Sequence, residues 1–199
     1  MTERPRATGV PPVRGISEFT VSRRNLPHWQ EPGSVYFLTW RTVPGFQLLD
    51  EDRTATLESI LHWDQKRWIV FAAVVMPDHV HALVKPTRMA PQPEAANGDD
   101  FYPLKSILHS VKSFAAHRIN RQHKRTGRVW QDERYDRIMR DDREFEQTWE
   151  YICQNPVDAS LARSPEEYPW FYRIGWNRSP EEHRRDAGAT NSNAAIDIP

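Results

Sequence analysis

The sequence predicts an α+β domain: a ferredoxin-like, RRM-like antiparallel sheet with helices on one face, followed by a C-terminal helix that carries a tyrosine. Three observations support this. Segments rich in aromatic and β-branched residues alternate with segments of helical periodicity. Two apolar runs are separated by a single Pro-Asp pair, which suits a turn between strands. The resulting order is β-α-β-β-α-β-α, and its first six elements match the split βαβ pattern.

The elements follow in order. Residues 1–32 carry Pro, Arg and polar residues with little periodicity and read as an N-terminal arm. "SVYFLTWRT" reads as the first strand. "LDEDRTATLESILHWDQKR" places Leu57, Ile60 and Leu61 at helical spacing, with acids in the first turn and bases in the last. "WIVFAAVVM" and "HVHALVKP", joined through Pro77 and Asp78, form the central hairpin. A polar linker spans 90–100. "FYPLKSILHSVKSFAAHRINRQHKR" then presents Leu104, Ile107, Leu108, Val111, Phe114, Ala115 and Ile119 on one helical side. Its other side holds Lys105, Lys112, Arg118, Arg121 and Arg125. Gly127 ends that helix, and "RVWQDERYDRIM" has a strand-like centre. "RDDREFEQTWEYICQN" is the last helix, with Asp141 or Asp142 as cap and Pro156 as the stop. The domain is therefore expected over 33–174, with a polar, disordered tail over 175–199.

Composition narrows the classes. A chain of 199 residues fits one domain with tails. Cys153 is the only cysteine, which excludes an intramolecular disulfide and a Cys-based zinc site. No apolar run approaches the roughly 20 residues of a membrane span. The opening "MTERPRATGVPPVRG" lacks the apolar core of a secretory signal, so a cytoplasmic protein is expected. The 27 basic and 27 acidic residues cancel, but they are unevenly placed. Between Lys105 and Arg140 ten bases face three acids, a local excess of seven positive charges. Such a block is either a solvated helix face or a surface for a polyanion.

His79 and His81 lie one residue apart on the second strand of the hairpin, so both rings leave the same side of the sheet. That pattern fits a half-solvated surface as well as half of a metal site. On the last helix, Phe145, Trp149, Ile152 and Cys153 form an apolar stripe, and Glu144, Thr148, Tyr151 and Asn155 lie on its flank. Tyr151 and Asn155, four apart, offer a phenol and an amide at one spot. Each also has an ordinary role open to it: Asn155 as a C-terminal cap, Tyr151 as an aromatic at the core's edge.

The motifs together resemble a known family. "MPDHVHALV" is similar to the His-hydrophobe-His motif of the HUH single-strand nucleases. "WEYICQNPVDASLARSPEEYPW" resembles the tyrosine-helix signature of the REP-associated tyrosine transposases, and "GRVWQDERYDRIMRD" fits the segment before that helix. Departures are small: Cys153 and Gln154 stand where many members have His and Asn, and Asp78 where Asn is common. The resemblance spans about 34–172. It implies an enzyme that cuts and rejoins single-stranded DNA through a 5′-phosphotyrosine. In that reading Tyr151 is the nucleophile, and His79, His81 and Asn155 hold Mg²⁺ or Mn²⁺.

The implied chemistry is reasonable for these groups. A phenol, with an ordinary pKa near 10, is a weak nucleophile at neutral pH and needs a cation to polarise the phosphate. A mixed imidazole and amide set suits Mg²⁺ or Mn²⁺, though zinc also accepts two histidines. The basic residues Arg118, Arg121, Lys124, Arg125 and Arg128 are expected to neutralise DNA phosphates. Trp130 is either a base-stacking aromatic or a core residue. The implied partner is single-stranded DNA whose palindromic repeat folds into a hairpin, bound by a monomer rather than a homodimer. Arg14, Arg23 and Arg24 of the arm would help to hold it. Two other readings fit the same residues: a non-catalytic binder of hairpin DNA or RNA, and a zinc- or manganese-dependent hydrolase in which Tyr151 is structural.

Overall fold

The computed structural model describes residues 20–24, 26–90 and 101–175. Most of the N-terminal arm with Arg14, nearly all of the 90–100 linker and the tail beyond Gly175 lie outside the described residues. Two short strands, β1 (Thr20–Arg24) and β2 (Leu26–Gln30), pair antiparallel inside the segment expected to be an arm, and β2 lies against the later strand at Trp130–Ile138. Arg23 and Arg24 belong to β1.

The domain continues as β3 (Tyr36–Thr42), α1 (Asp50–Leu61), β4 (Trp68–Val75), β5 (His79–Pro86), α2 (Leu104–Gln122), β6 (Trp130–Ile138), α3 (Asp142–Asp158), a short 3₁₀ turn at Pro165–Glu167 and β7 (Phe171–Arg173). Five strands form one antiparallel sheet in the order β6-β3-β5-β4-β7. The four strands of the split βαβ unit take the ferredoxin-like arrangement, and β7, absent from the sequence reading, extends the β4 edge. The expected α+β fold is present.

Alternation along the strands sorts side chains to two faces. Tyr36, Leu38 and Trp40 of β3 and Val80, Ala82 and Val84 of β5 are buried toward α1 and α2. Tryptophans join those layers: Trp68 Nε1 donates to the Ile60 carbonyl at 3.2 Å, and Trp130 Nε1 to the Lys112 carbonyl at 3.0 Å. In β4 the register slips between Val70 and Ala72, so inward residues shift from Trp68 and Val70 to Ala73 and Val75. Phe71, at the slip, meets Phe145 of α3 edge-on, with ring centroids 5.1 Å apart. The third helix therefore covers the face opposite α1 and α2.

Two helix ends differ from expectation. α1 stops at Leu61, so Lys66 and Arg67 fall in the turn before β4 rather than in its last turn. α3 runs past Pro156 to Asp158, because a proline near the end of a helix forfeits only the bond to the carbonyl four residues back. Asn155 is consequently not the cap: Ala159 occupies that position and donates its N–H to the Asn155 carbonyl at 3.1 Å. Asp141 is the N-cap, its carboxylate accepting the Glu144 N–H at 2.8 Å.

The fully buried Asp52 ties the helix pair together. It accepts the Leu49 N–H at 3.0 Å, and its two oxygens lie 2.7 and 2.9 Å from His123 Nε2, just past the end of α2. Asp52→Ala should lower stability by about 2–4 kcal/mol in urea denaturation, since it strands both partners. A loss below about 0.5 kcal/mol would contradict this role.

Candidate active site

The antiparallel pairing of β3 with β5 sets Thr39 opposite His81 and Arg41 opposite His79. On the next strand Tyr135 stands opposite Thr39, and Arg137 opposite Phe37. Phe37, Thr39, Arg41, His79, His81 and Tyr135 thus share the face away from α1 and α2. The apolar stripe of α3 packs on that face: Ile152 is buried, and Phe145, Trp149 and Cys153 are partly so. Its flank delivers Tyr151 to the histidines.

Tyr151 Oη lies 3.3 Å from His81 Nε2, and the two rings meet with centroids 5.2 Å apart. The imidazoles of His79 and His81 are 4.7 Å apart. Phe37 stacks on His81 at 5.3 Å and meets Tyr151 edge-on at 6.1 Å, filling the floor between them. His81 is only 5% exposed, whereas Tyr151 is 47% exposed. One side of the site is sealed by protein and the nucleophile candidate remains open to a large substrate.

Each histidine is held through Nδ1. Asp78 Oδ1 lies 2.6 Å from His79 Nδ1, and Thr39 Oγ1 lies 2.7 Å from His81 Nδ1. Burial drives the His81 pKa down to about 3, helped by the charges of His79 and Arg41 against the opposing Asp78. Burial works against ionisation of Asp78, but the His79 hydrogen bond and the charges of His79 and Arg41 outweigh it and hold the carboxyl below its usual value. Burial also pushes the Cys153 thiol up to about 11, so Cys153 is packing, not a nucleophile.

The residues fit a divalent cation in their chemistry. His81 is neutral, as a ligand must be, and Nε2 is the ring nitrogen that both histidines leave unheld by a strand partner. Asn155 is half-buried one helical turn beyond Tyr151, on the same flank of α3. Among the described residues no group of three or more His, Cys, Asp or Glu side chains is placed to hold a metal ion. A cation here would therefore draw on two imidazoles and a neutral oxygen such as that of Asn155.

The structure brings His79, His81 and Tyr151 together and leaves the expected DNA-contacting residues elsewhere. Arg118, Arg121, Lys124, Arg125 and Arg128 lie on or just beyond α2, across the sheet from the histidines. Arg118 pairs with Glu58 at 2.6 Å and Arg128 with Asp132 at 2.5 Å. Arg125 lies 4.2 Å over the Phe46 ring, while Arg121 and Lys124 are exposed. Trp130 corrects the stacking expectation: it is 6% exposed and packs edge-on against Trp40, on the α2 side. On the site face the exposed aromatic contributed by the sheet is Tyr135, 48% exposed and edge-on to Phe37 at 6.2 Å. Sequence reasoning missed Thr39, Arg41, Phe37 and Tyr135. Their alternation within two strands was visible, but their placement beside the histidines depends on cross-strand register.

The depressed His81 pKa has a consequence for stability. As pH falls below 6.5 the unfolded chain protonates this histidine, while the folded chain resists down to about 3. Its contribution is intact above that window and is lost as pH falls through it. In urea melts, His81→Asn should flatten the fall in stability between about pH 6.5 and 3. An unchanged slope would contradict the buried, neutral imidazole.

No family model and no curated protein matches the chain. Among solved structures, one of a REP-associated tyrosine transposase bound to a REP hairpin is 19% identical, with a TM-score of 0.58, covering 79% of this chain and 93% of that one. A proposed transposase from Deinococcus radiodurans is 18% identical over 66% of this chain and 94% of its own, with a TM-score of 0.38, too low to support a shared fold. No helix of the described residues is long and apolar enough to cross a membrane. The chain shares its fold with the REP-associated tyrosine transposase.

Proposed function

We propose that this protein is a metal-dependent transposase or endonuclease of single-stranded DNA that cleaves and rejoins strands at hairpin-forming repeats through a 5′-phosphotyrosine. The observation that carries the reading is the Tyr151 hydroxyl 3.3 Å from His81 Nε2, beside a second imidazole. The similar structure bound to a REP hairpin supports a hairpin substrate.

In this reading Tyr151 Oη attacks the scissile phosphorus, forming the phosphotyrosine bond as the bond to the 3′-oxygen breaks. The phenol gives up a proton and the leaving 3′-oxygen gains one, so the exchange is balanced. Rejoining runs the steps in reverse, with a 3′-hydroxyl displacing Tyr151, and phosphodiester energy is kept without ATP. His79, His81 and Asn155 would hold Mg²⁺ or Mn²⁺, which when bound polarises the phosphoryl oxygen. Phe37 and α3 keep water from one side of the nucleophile, and Tyr135 provides a ring for an unpaired base, the role expected of Trp130.

Two outcomes follow. Incubated with a hairpin-bearing single-stranded oligonucleotide and Mn²⁺, the protein should give a slow-migrating adduct on a denaturing gel, lost in Tyr151→Phe and on chelation. Cleavage retained by Tyr151→Phe would contradict the nucleophile, and binding without cleavage under any cation would favour a non-catalytic hairpin binder. Tyr135→Ala should weaken single-strand binding by about 1–3 kcal/mol with the fold intact, as read by fluorescence anisotropy. Unaltered affinity would remove Tyr135 from the DNA path.

A further inference from the structure

We propose that Thr39 and Asp78 are positioning residues for the two histidines, each gripping Nδ1 of one ring so that Nε2 is presented to the cation and to Tyr151. The cation half of this statement rests on the metal-dependent reading above.

The two grips differ in kind. A carboxylate oxygen only accepts, so at the 2.6 Å contact with Asp78 a hydrogen of His79 sits on Nδ1, and when the ring carries a single hydrogen its lone pair is on Nε2. Asp78 is steadied from the neighbouring strand, where Arg41 Nη1 lies 3.3 Å from its other oxygen. Arg41 is also the residue paired with His79 across β3 and β5. An amide at position 78 offers a donor as well as an acceptor and so permits the other tautomer. The aspartate found here is the restrictive choice.

At His81 the partner is a hydroxyl, which both donates and accepts. Thr39 Oγ1, 2.7 Å from His81 Nδ1, therefore keeps the ring in place through either tautomer. When Nδ1 donates to Thr39, the Nε2 lone pair points toward the Tyr151 hydroxyl. The Phe37 ring stacked on His81 fixes the plane, and the cross-strand pairing of Thr39 with His81 fixes the height. Ordinary roles for these residues, Asp78 as a turn former and Thr39 as a strand former, need neither contact with an imidazole nitrogen. Histidines that bind metals generally hold their second nitrogen this way, and losing the partner costs about 10–100-fold in metal affinity.

The test reads the rings directly. In ¹⁵N–¹H spectra of the metal-free protein, recorded at a pH where the same spectra show the His79 ring carrying a single hydrogen, His79 should show a protonated Nδ1 and a bare Nε2. Asp78→Ala should lose that signature at His79 alone. Thr39→Val should alter only the His81 nitrogens, and Thr39→Ser should restore them. Followed by electron paramagnetic resonance, the Mn²⁺ dissociation constant should rise about 10–100-fold in Asp78→Ala and Thr39→Val and stay near that of the parent in Thr39→Ser. Ring-nitrogen shifts unchanged in both variants, or His79 protonated at Nε2 in the parent, would overturn the proposal. Folded variants that bind Mn²⁺ like the parent would do so equally. If the parent shows the expected nitrogens yet takes up no Mn²⁺, the metal-dependent reading fails while the grips stand.

Discussion

The antiparallel register between β3 and β5 is the constraint on which the rest depends. It sets Thr39 beside His81 and Arg41 beside His79, and it brings the Phe37 ring under the histidine that meets Tyr151. A slip of one residue would turn every one of these side chains to the other face. The register is pinned by what lies beneath. Leu38, Trp40, Val80, Ala82 and Val84 are buried against the helices, and a slip would drive polar groups into that layer. Core packing on one side of the sheet thus holds the chemistry on the other side in place.

The two faces divide the work. The α1–α2 face is dry and is joined by tryptophan N–H groups that bond helix carbonyls. Among the described residues α3 crosses the opposite face, and Tyr135 and Tyr151 stay open beside a buried imidazole. This division explains why the basic run of α2 does not meet the histidines. Its bases project from the far layer, where Arg118 is engaged by Glu58, and Arg128, before β6, pairs with Asp132. Charge excess along the sequence marks a surface, but the fold decides which face that surface belongs to.

Much of this was legible in the sequence because it depends on local period. The paired direction of His79 and His81 follows from alternation in a strand, and the flank holding Tyr151 follows from helical spacing in α3. The turn at Pro77 and Asp78 and the cap at Asp141 were readable from residue type. What could not be read was non-local. Thr39 is one strand residue among several until register assigns its partner. The slip in β4 that moves its inward set from Trp68 and Val70 to Ala73 and Val75 leaves no mark in "WIVFAAVV". Trp130 sits in an alternating segment whose inward side is ambiguous, and pairing with β3 sends it to the core. Pro156 suggested a helix end, but α3 continues two residues past it at the cost of one backbone bond.

The central claim is that Tyr151, delivered by α3 to the paired histidines, is the group that takes the DNA. Peptide mass mapping tests it most directly. The protein is incubated with a hairpin-bearing oligonucleotide and Mn²⁺, the DNA is trimmed with nucleases, and the nucleotide mass is located on the peptide. A 5′-linked nucleotide is expected on Tyr151. A nucleotide on Tyr135, the other exposed phenol of this face, or on any residue away from the histidines, would contradict it.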